Sequence, residues 1–277
     1  MDFKERVPFG RTGLMISRLG LAQGYGVPTA AIEKAFHEYG INYLYVSPLL
    51  NLRSMVLAVR SLAPSHRDQL CIVLARPFFG GFGASRLERF VERWLKKLGL
   101  EWADLLFQDV RKPLSQKVTD RVLQLRESGR IRFLGVSSHN RPLLGMIARG
   151  ATDDPVDFFH VRYNAVHTGA EHDVFPHLLP ENRPGVGVYT ATCWRKLLKP
   201  TRMPAGESPL TAADCYRFVL SHPDVNVCLT APSTAARMEE NLNALDAGPP
   251  DEDEMARVRR IGDHIYGKKR AVPPPAQ

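Results

Sequence analysis

Eight times along the chain a short apolar run precedes a stretch of helical period, and this repetition limits the possible fold more than any other feature. The runs are 19–22, 41–45, 70–75, 104–108, 131–136, 157–161, 186–190 and 225–229. Helical stretches fall near 29–39, 51–62, 85–98, 115–128, 141–149, 170–179, 210–221 and 234–245. Within 85–98, Leu87, Phe90, Val91, Trp94, Leu95 and Leu98 recur at helical spacing with Arg and Glu between them, which predicts one apolar face. Gly40, Gly99 and Gly129 supply left-handed stops after three of the stretches. Thr29 and Ser115 are the expected N-caps of two others. Strands that are apolar throughout predict a parallel sheet covered on both faces. Eight strand–helix units are the number that closes a (β/α)8 TIM barrel.

A doubly wound open sheet is the competing arrangement. It needs a glycine-rich phosphate turn after the first strand, and Gly20-Leu21-Ala22-Gln23-Gly24-Tyr25-Gly26 does not fit G-x-G-x-x-G. Ahead of the first strand, residues 7–16 read as an N-terminal β-hairpin able to plug the barrel bottom. Residues 251–266 read as an extra C-terminal helix. A chain of 277 residues suits one barrel, which commonly takes about 250. The domain is expected over 1–267. A disordered tail is expected over 268–277, opening with Lys268-Lys269-Arg270 and continuing through Pro273-Pro274-Pro275.

Composition closes off several function classes. No run approaches the roughly 20 apolar residues of a membrane span, and the N-terminus lacks a signal-peptide core, so a cytoplasmic protein without a membrane partner is expected. Cys71, Cys193, Cys215 and Cys228 are scattered with no C-x-x-C, which points to reduced thiols. The net charge is +8, but no basic block carries interleaved aromatics, so no nucleic-acid partner is expected and the arginines are assigned to outer helices. His160, His167, His172 and His177 crowd one segment at spacings that match no zinc site, and no metal is expected. A two-histidine, one-carboxylate set of Asp109, His139 and His160 is the one metal geometry the strand ends would allow.

Several ordered segments resemble the aldo-keto reductases. They are Phe9-Gly10-Arg11-Thr12-Gly13-Leu14, Gly40-Ile41-Asn42-Tyr43, Leu98-Gly99-Leu100-Glu101-Trp102-Ala103-Asp104-Leu105-Leu106-Phe107-Gln108-Asp109, and Glu127-Ser128-Gly129-Arg130-Ile131-Arg132-Phe133-Leu134-Gly135-Val136-Ser137-Ser138. Arg162-Tyr163-Asn164 and Ser233 through Leu242 follow in order. The resemblance implies the same barrel, an NADP(H) cofactor lying extended over the barrel mouth, and a small-molecule carbonyl substrate. It assigns Ser233, Arg237, Glu240 and Asn241 to the adenosine end, with Ser233 capping the helix and Arg237 forking a 2′-phosphate. It assigns Ser137, Ser138 and His160 to the nicotinamide amide. Thr192, in Thr190-Ala191-Thr192, falls where an aromatic stacks under the ring, and Tyr189 or Trp194 could substitute.

The same resemblance exposes four departures from the family's Asp-Tyr-Lys-His tetrad. Tyr45 stands for the aspartate, Leu50 for the tyrosine, Arg76 for the lysine and Asp109 for the histidine. Leucine cannot give a proton, so the usual tetrad chemistry is absent. One reading has Tyr45, Arg76, Asp109 and His139 re-form a catalytic site at the mouth, with Tyr45 or His139 as the proton donor to an NADPH-reduced carbonyl, or with Asp109 as the base of a lyase or isomerase. The other has Arg76 and Asp109 as a structural ion pair in a catalytically silent barrel that senses a cofactor or binds a protein partner. Phe78-Phe79-Gly80-Gly81-Phe82-Gly83 reads as an apolar loop over the mouth or against its own helix.

Overall fold

The computed structural model describes residues 2–22, 26–47, 52–76, 84–150 and 155–270. An antiparallel pair, β1 (Val7–Pro8) and β2 (Met15–Ile16), precedes eight longer-range strands. These are β3 (Leu19–Ala22), β4 (Tyr43–Val46), β5 (Cys71–Arg76), β6 (Ala103–Asp109), β7 (Ile131–Ser137), β8 (Val156–Arg162), β9 (Gly185–Tyr189) and β10 (Val227–Thr230). Each runs parallel to its neighbours, and β10 pairs with both β9 and β3, so the sheet is a closed barrel. The helices are α1 (Thr29–Tyr39), α2 (Arg53–His66), α3 (Ala84–Leu98), α4 (Gln116–Glu127), α5 (Arg141–Arg149), α6 (Ala170–Asp173), α7 (Ala212–Leu220), α8 (Ala235–Ala247) and α9 (Glu252–Arg270). The fold is therefore the expected (β/α)8 TIM barrel with an N-terminal hairpin and an extra C-terminal helix. Among the described residues no helix is long and apolar enough to cross a membrane.

Strand alternation divides the barrel into two apolar cores. Ile72, Leu74, Leu106, Leu134, Phe159 and Val161 pack outward in one cluster with the helices. Cys71, Val73, Ala75, Leu105, Phe107, Phe158 and Val227 point inward and pack with Phe9 and Ile16 of the hairpin. Phe9 lies 5.2 Å from Phe158 and 5.6 Å from Tyr43, ring centre to ring centre, so the hairpin seals the end opposite the mouth. Glycines on inward positions make room for the rings: a Cβ on Gly135 would fall 2.2 Å from the Phe158 ring, and one on Gly187 would fall 2.5 Å from His160.

The local signals match the structure at some positions and not at others. Gly40, Gly99 and Gly129 all take left-handed φ, as expected at helix ends. Thr29 is not a cap; Pro28 holds that position and Thr29 begins α1. Ser115 does occupy the N-cap of α4, but its side chain makes no capping bond. The helix expected near 170–179 stops after one turn, then a 3-10 turn covers Phe175–His177. Pro176 accounts for the break, since it lacks an N–H and its ring clashes with a preceding helical turn. At the other end α9 runs to Arg270, so its helical backbone includes the first three residues of the expected tail; residues 271–277 lie outside the described residues.

One buried carboxylate ties three strands together. Asp104 of β6 accepts hydrogen bonds from Arg67 Nη1 at 2.9 Å and from the Ile72 N–H of β5 at 2.9 Å, and Arg132 of β7 approaches at 3.4 Å. Its side chain is 3% exposed. Removing it strands the Arg67 charge and an N–H, so Asp104→Ala is expected to cost about 3–5 kcal/mol in urea unfolding. A loss under 1 kcal/mol would show that the pair is not a strut of the barrel.

Candidate active site

The mouth is built on the C-terminal ends of the strands. Below it the lumen is an aromatic stack. His160 of β8 is 1% exposed, and its Nε2 lies 2.7 Å from the Tyr43 hydroxyl. Its ring packs on Phe107 at 4.7 Å and lies nearly parallel to Tyr45 at 5.5 Å. Burial keeps this imidazole neutral, with its pKa depressed to about 3. Its Nδ1 has no hydrogen-bond partner among the described residues.

Above the stack five strand ends contribute polar groups. Tyr45 of β4 lies on the inward side, and its hydroxyl makes no hydrogen bond among the described residues. Burial pushes its pKa far above the ordinary phenol value, and negative charge on Tyr189 or Asp109 pushes the same way. Asp109 closes β6, with its partial burial raising the carboxyl above the usual range against the pull of His139, Arg111 and the Val110 N–H. Ser137, the last residue of β7, donates from Oγ to the Tyr189 hydroxyl at 3.3 Å. Burial raises the Tyr189 phenol, the Ser137 bond lowers it, and Asp109 and Arg162 act in opposite directions. Arg162 ends β8 in register with Tyr189 of β9. Its parity with Phe158 and His160 places it on the lumen face.

The expected catalytic set is therefore brought together only in part. Tyr45, Asp109 and His139 do converge, and the exposed His139 ring stands perpendicular to Tyr189 at 6.3 Å. Arg76 does not join them. Cys71, Val73 and Ala75 take the inward positions of β5, so alternation turns Arg76 toward the helices, where Nη1 donates to Gln108 Oε1 at 3.0 Å and burial, then the charge of Arg86 on α3, lowers its pKa. Among the described residues no ion pair joins Arg76 to Asp109, so the expected couple is not formed. Leu50 and the loop 78–83 lie outside the described residues. His160 sits a layer below the mouth with Nε2 engaged by Tyr43, so it is not placed as an amide contact. The histidine-rich segment is dispersed: His177 lies against Arg149 at 2.7 Å and His167 against Asn164. Among the described residues no group of three or more His, Cys, Asp or Glu could hold a metal.

Arg162 and Tyr189 are the residues that motif reading undervalued. Period-two alternation, carried two steps beyond Phe158, was the signal for Arg162. After Tyr189 the backbone is strained: Thr190, Cys193, Trp194 and Arg195 all have positive φ without being glycine. Such clusters collect at functional sites because the rest of the fold must hold them. Here they turn the exposed Trp194 to within 6.1 Å of the His167 ring. Thr192 serves this turn, accepting the Arg195 N–H at 3.2 Å.

The second expected region lies at the start of α8, after β10. Thr234, not Ser233, is the N-cap and accepts the Arg237 N–H at 3.2 Å. Ser233 Oγ instead accepts from Arg237 Nη1 at 2.6 Å, which holds the exposed guanidinium over the helix N-terminus. No acidic residue lies in that first turn. Asn241 is buried and donates to Thr230 Oγ1 at 2.8 Å, while Glu240 is exposed. Asn241 thus braces α8 against β10. Ser138 is buried and accepts the Asn140 N–H at 3.1 Å, leaving its own proton free to donate.

No protein-family profile and no curated protein matches the chain. Solved structures do. The aldo-keto reductase AKR11C1 from Bacillus halodurans is similar in its apo form, at 17% identity and a TM-score of 0.74, covering 93% of this chain and 95% of that one. Its holo form gives 18% identity and a TM-score of 0.75, with 93% and 96% covered. PA4992 from Pseudomonas aeruginosa, a candidate aldo-keto reductase, gives 21% identity and a TM-score of 0.66, with 89% and 97% covered. At these identities the likeness establishes a shared fold over nearly the whole chain.

Proposed function

We propose that this barrel is an NADP(H)-binding oxidoreductase of aldo-keto reductase type that acts on a carbonyl compound without the usual tetrad. The observation that carries the reading is the Arg237–Ser233 clasp. It presents a guanidinium at an α8 N-terminus free of acidic residues, which is the chemistry a 2′-phosphate needs. Further round the mouth, Ser138 retains a proton for the nicotinamide amide. Tyr189 offers the ring that the Thr190-Ala191-Thr192 segment lacks. These residues fit NADP(H), which when bound supplies hydride to a carbonyl carbon.

The chain's own contribution is binding and proton delivery. Tyr45 presents an unengaged hydroxyl to the mouth and donates its proton to the carbonyl oxygen. Its raised pKa keeps the phenol protonated at every physiological pH and makes the phenolate short-lived. Asp109 and the exposed His139 connect Tyr45 to solvent and return the proton. The aromatic stack of Phe107 and His160 closes the floor and excludes water from below.

Cofactor titration followed by tryptophan fluorescence tests the reading. NADPH should bind more tightly than NADH. Arg237→Ala should weaken NADPH about 10–100-fold, the worth of a charge-assisted hydrogen bond, and erase the preference. Absence of NADPH binding to the wild-type protein would sink the proposal.

A further inference from the structure

Among the described residues, the half-buried arginines are anchored with one exception. Arg67 pairs with Asp104, Arg126 with Asp157, Arg141 with Asp173 and Arg183 with Asp224. Arg6 and Arg18 donate to backbone carbonyls of Gly40 and Leu220. Arg162 has neither a hydrogen bond nor an ion pair with any described residue. Its Nε is buried with no partner. Arg18, Arg67 and Arg126 also leave Nε bare, but each secures its terminal nitrogens elsewhere. A buried Nε–H without a partner costs free energy that folding alone does not recover, and the terminal nitrogens of Arg162 stay open to a ligand.

Its place in the barrel says what would complete it. Arg162 lies on the lumen side of β8, in register with Tyr189, and is felt by that phenol. Asp109, the nearest mouth carboxylate in role, takes its charge stabilisation from His139 and Arg111 and not from Arg162. The clasp that suits the cofactor's phosphate follows β10, and β9 stands between that strand and β8. Arg162 therefore lies beside Tyr189 at the nicotinamide end of the mouth and away from the phosphate clasp, where a carbonyl receiving hydride would sit. We infer that Arg162 binds a carboxylate on the substrate, so that the protein selects carbonyl compounds carrying an acid group. The planar fork of arginine grips both oxygens of a carboxylate, while Tyr45 addresses the carbonyl. The inference rests on the mouth being the reductase site proposed above, but its binding component can be measured separately.

Two aldehydes that differ by one group make the test: 4-carboxybenzaldehyde and benzaldehyde, with benzoate and benzyl alcohol as ligands that need no turnover. The wild-type kcat/KM should favour the carboxylated aldehyde by at least about 20-fold, mainly through KM, as expected for a charge-assisted pair. In Arg162→Leu that ratio should fall to near one, and Arg162→Lys should restore part of it. Calorimetry should show benzoate binding to wild type and its loss in Arg162→Leu. Because no protein group depends on Arg162, the Leu variant should melt no lower than wild type; a clear drop would mark a structural arginine and overturn the inference. A parallel loss of NADPH affinity would put Arg162 on the cofactor's phosphates and overturn it too. Equal turnover of both aldehydes by wild type would refute carboxylate selection and leave the reductase reading intact. Arg162-dependent benzoate binding without any aldehyde turnover would refute the reductase reading and leave the carboxylate site standing.

Discussion

Tyr45→Phe is expected to lower kcat for aldehyde reduction by about 10²–10⁴-fold, the usual contribution of a positioned proton donor. The ring stays in place, because its contacts are the stack on His160 and the edge of Phe107 at 5.7 Å. NADPH affinity, read by fluorescence, should therefore hold while single-turnover hydride transfer fails. Asp109→Asn should also abolish turnover, by cutting the return path for the proton, but with an opposite effect on stability. Burial raises the Asp109 carboxyl in the folded state, so the folded protein carries a penalty once pH rises through that raised value. The Asn variant should melt higher than wild type at neutral pH, with the difference vanishing as pH falls below the ordinary carboxyl range. Full activity in both variants would remove Tyr45 and Asp109 from the chemistry.

Acid should destabilise the protein through His160. Its folded-state pKa of about 3 lies well below the ordinary imidazole value of 6.5. In the unfolded chain the imidazole takes up a proton from about pH 6.5 downward, whereas the folded protein refuses it until about pH 3. The stabilisation is thus complete above the higher value and is lost as pH falls through the window between them. At about 1.4 kcal/mol per unit, the loss is on the order of 4 kcal/mol by the bottom of the window. His160→Gln can still accept from the Tyr43 hydroxyl and does not titrate, so its acid limb in urea unfolding should be much shallower. An unchanged acid limb would mean that other groups carry the transition.

These expectations depend on side-chain placement that was only partly readable beforehand. The strand runs, the helix periods and the glycine stops are local signals, and the barrel follows from their number and order. Tyr45 and Asp109 could be named from motif position, since each ends a strand segment with a strong pattern. Arg76 was misplaced because motif matching fixes a residue's place along a strand and not the face it points to. The alternation of Cys71, Val73 and Ala75 turns it outward to Gln108. Ser233 was misjudged for a similar reason: its neighbour Thr234 has the better geometry for capping, which frees Ser233 to clasp Arg237.

The sequence by itself determined the (β/α)8 architecture, the hairpin plug and the strand ends where chemistry would gather. Periodicity and backbone propensity act over a few residues, and these features need nothing more. Only the tertiary structure decided which polar groups share the mouth. Closure of the barrel brings β6, β7, β8 and β9 side by side, so that Asp109, Ser137, Arg162 and Tyr189 meet across long stretches of chain. Closure also decided which charges are satisfied. Arg162 is one arginine among many in the sequence, and its lack of a partner among the described residues exists only in the closed barrel.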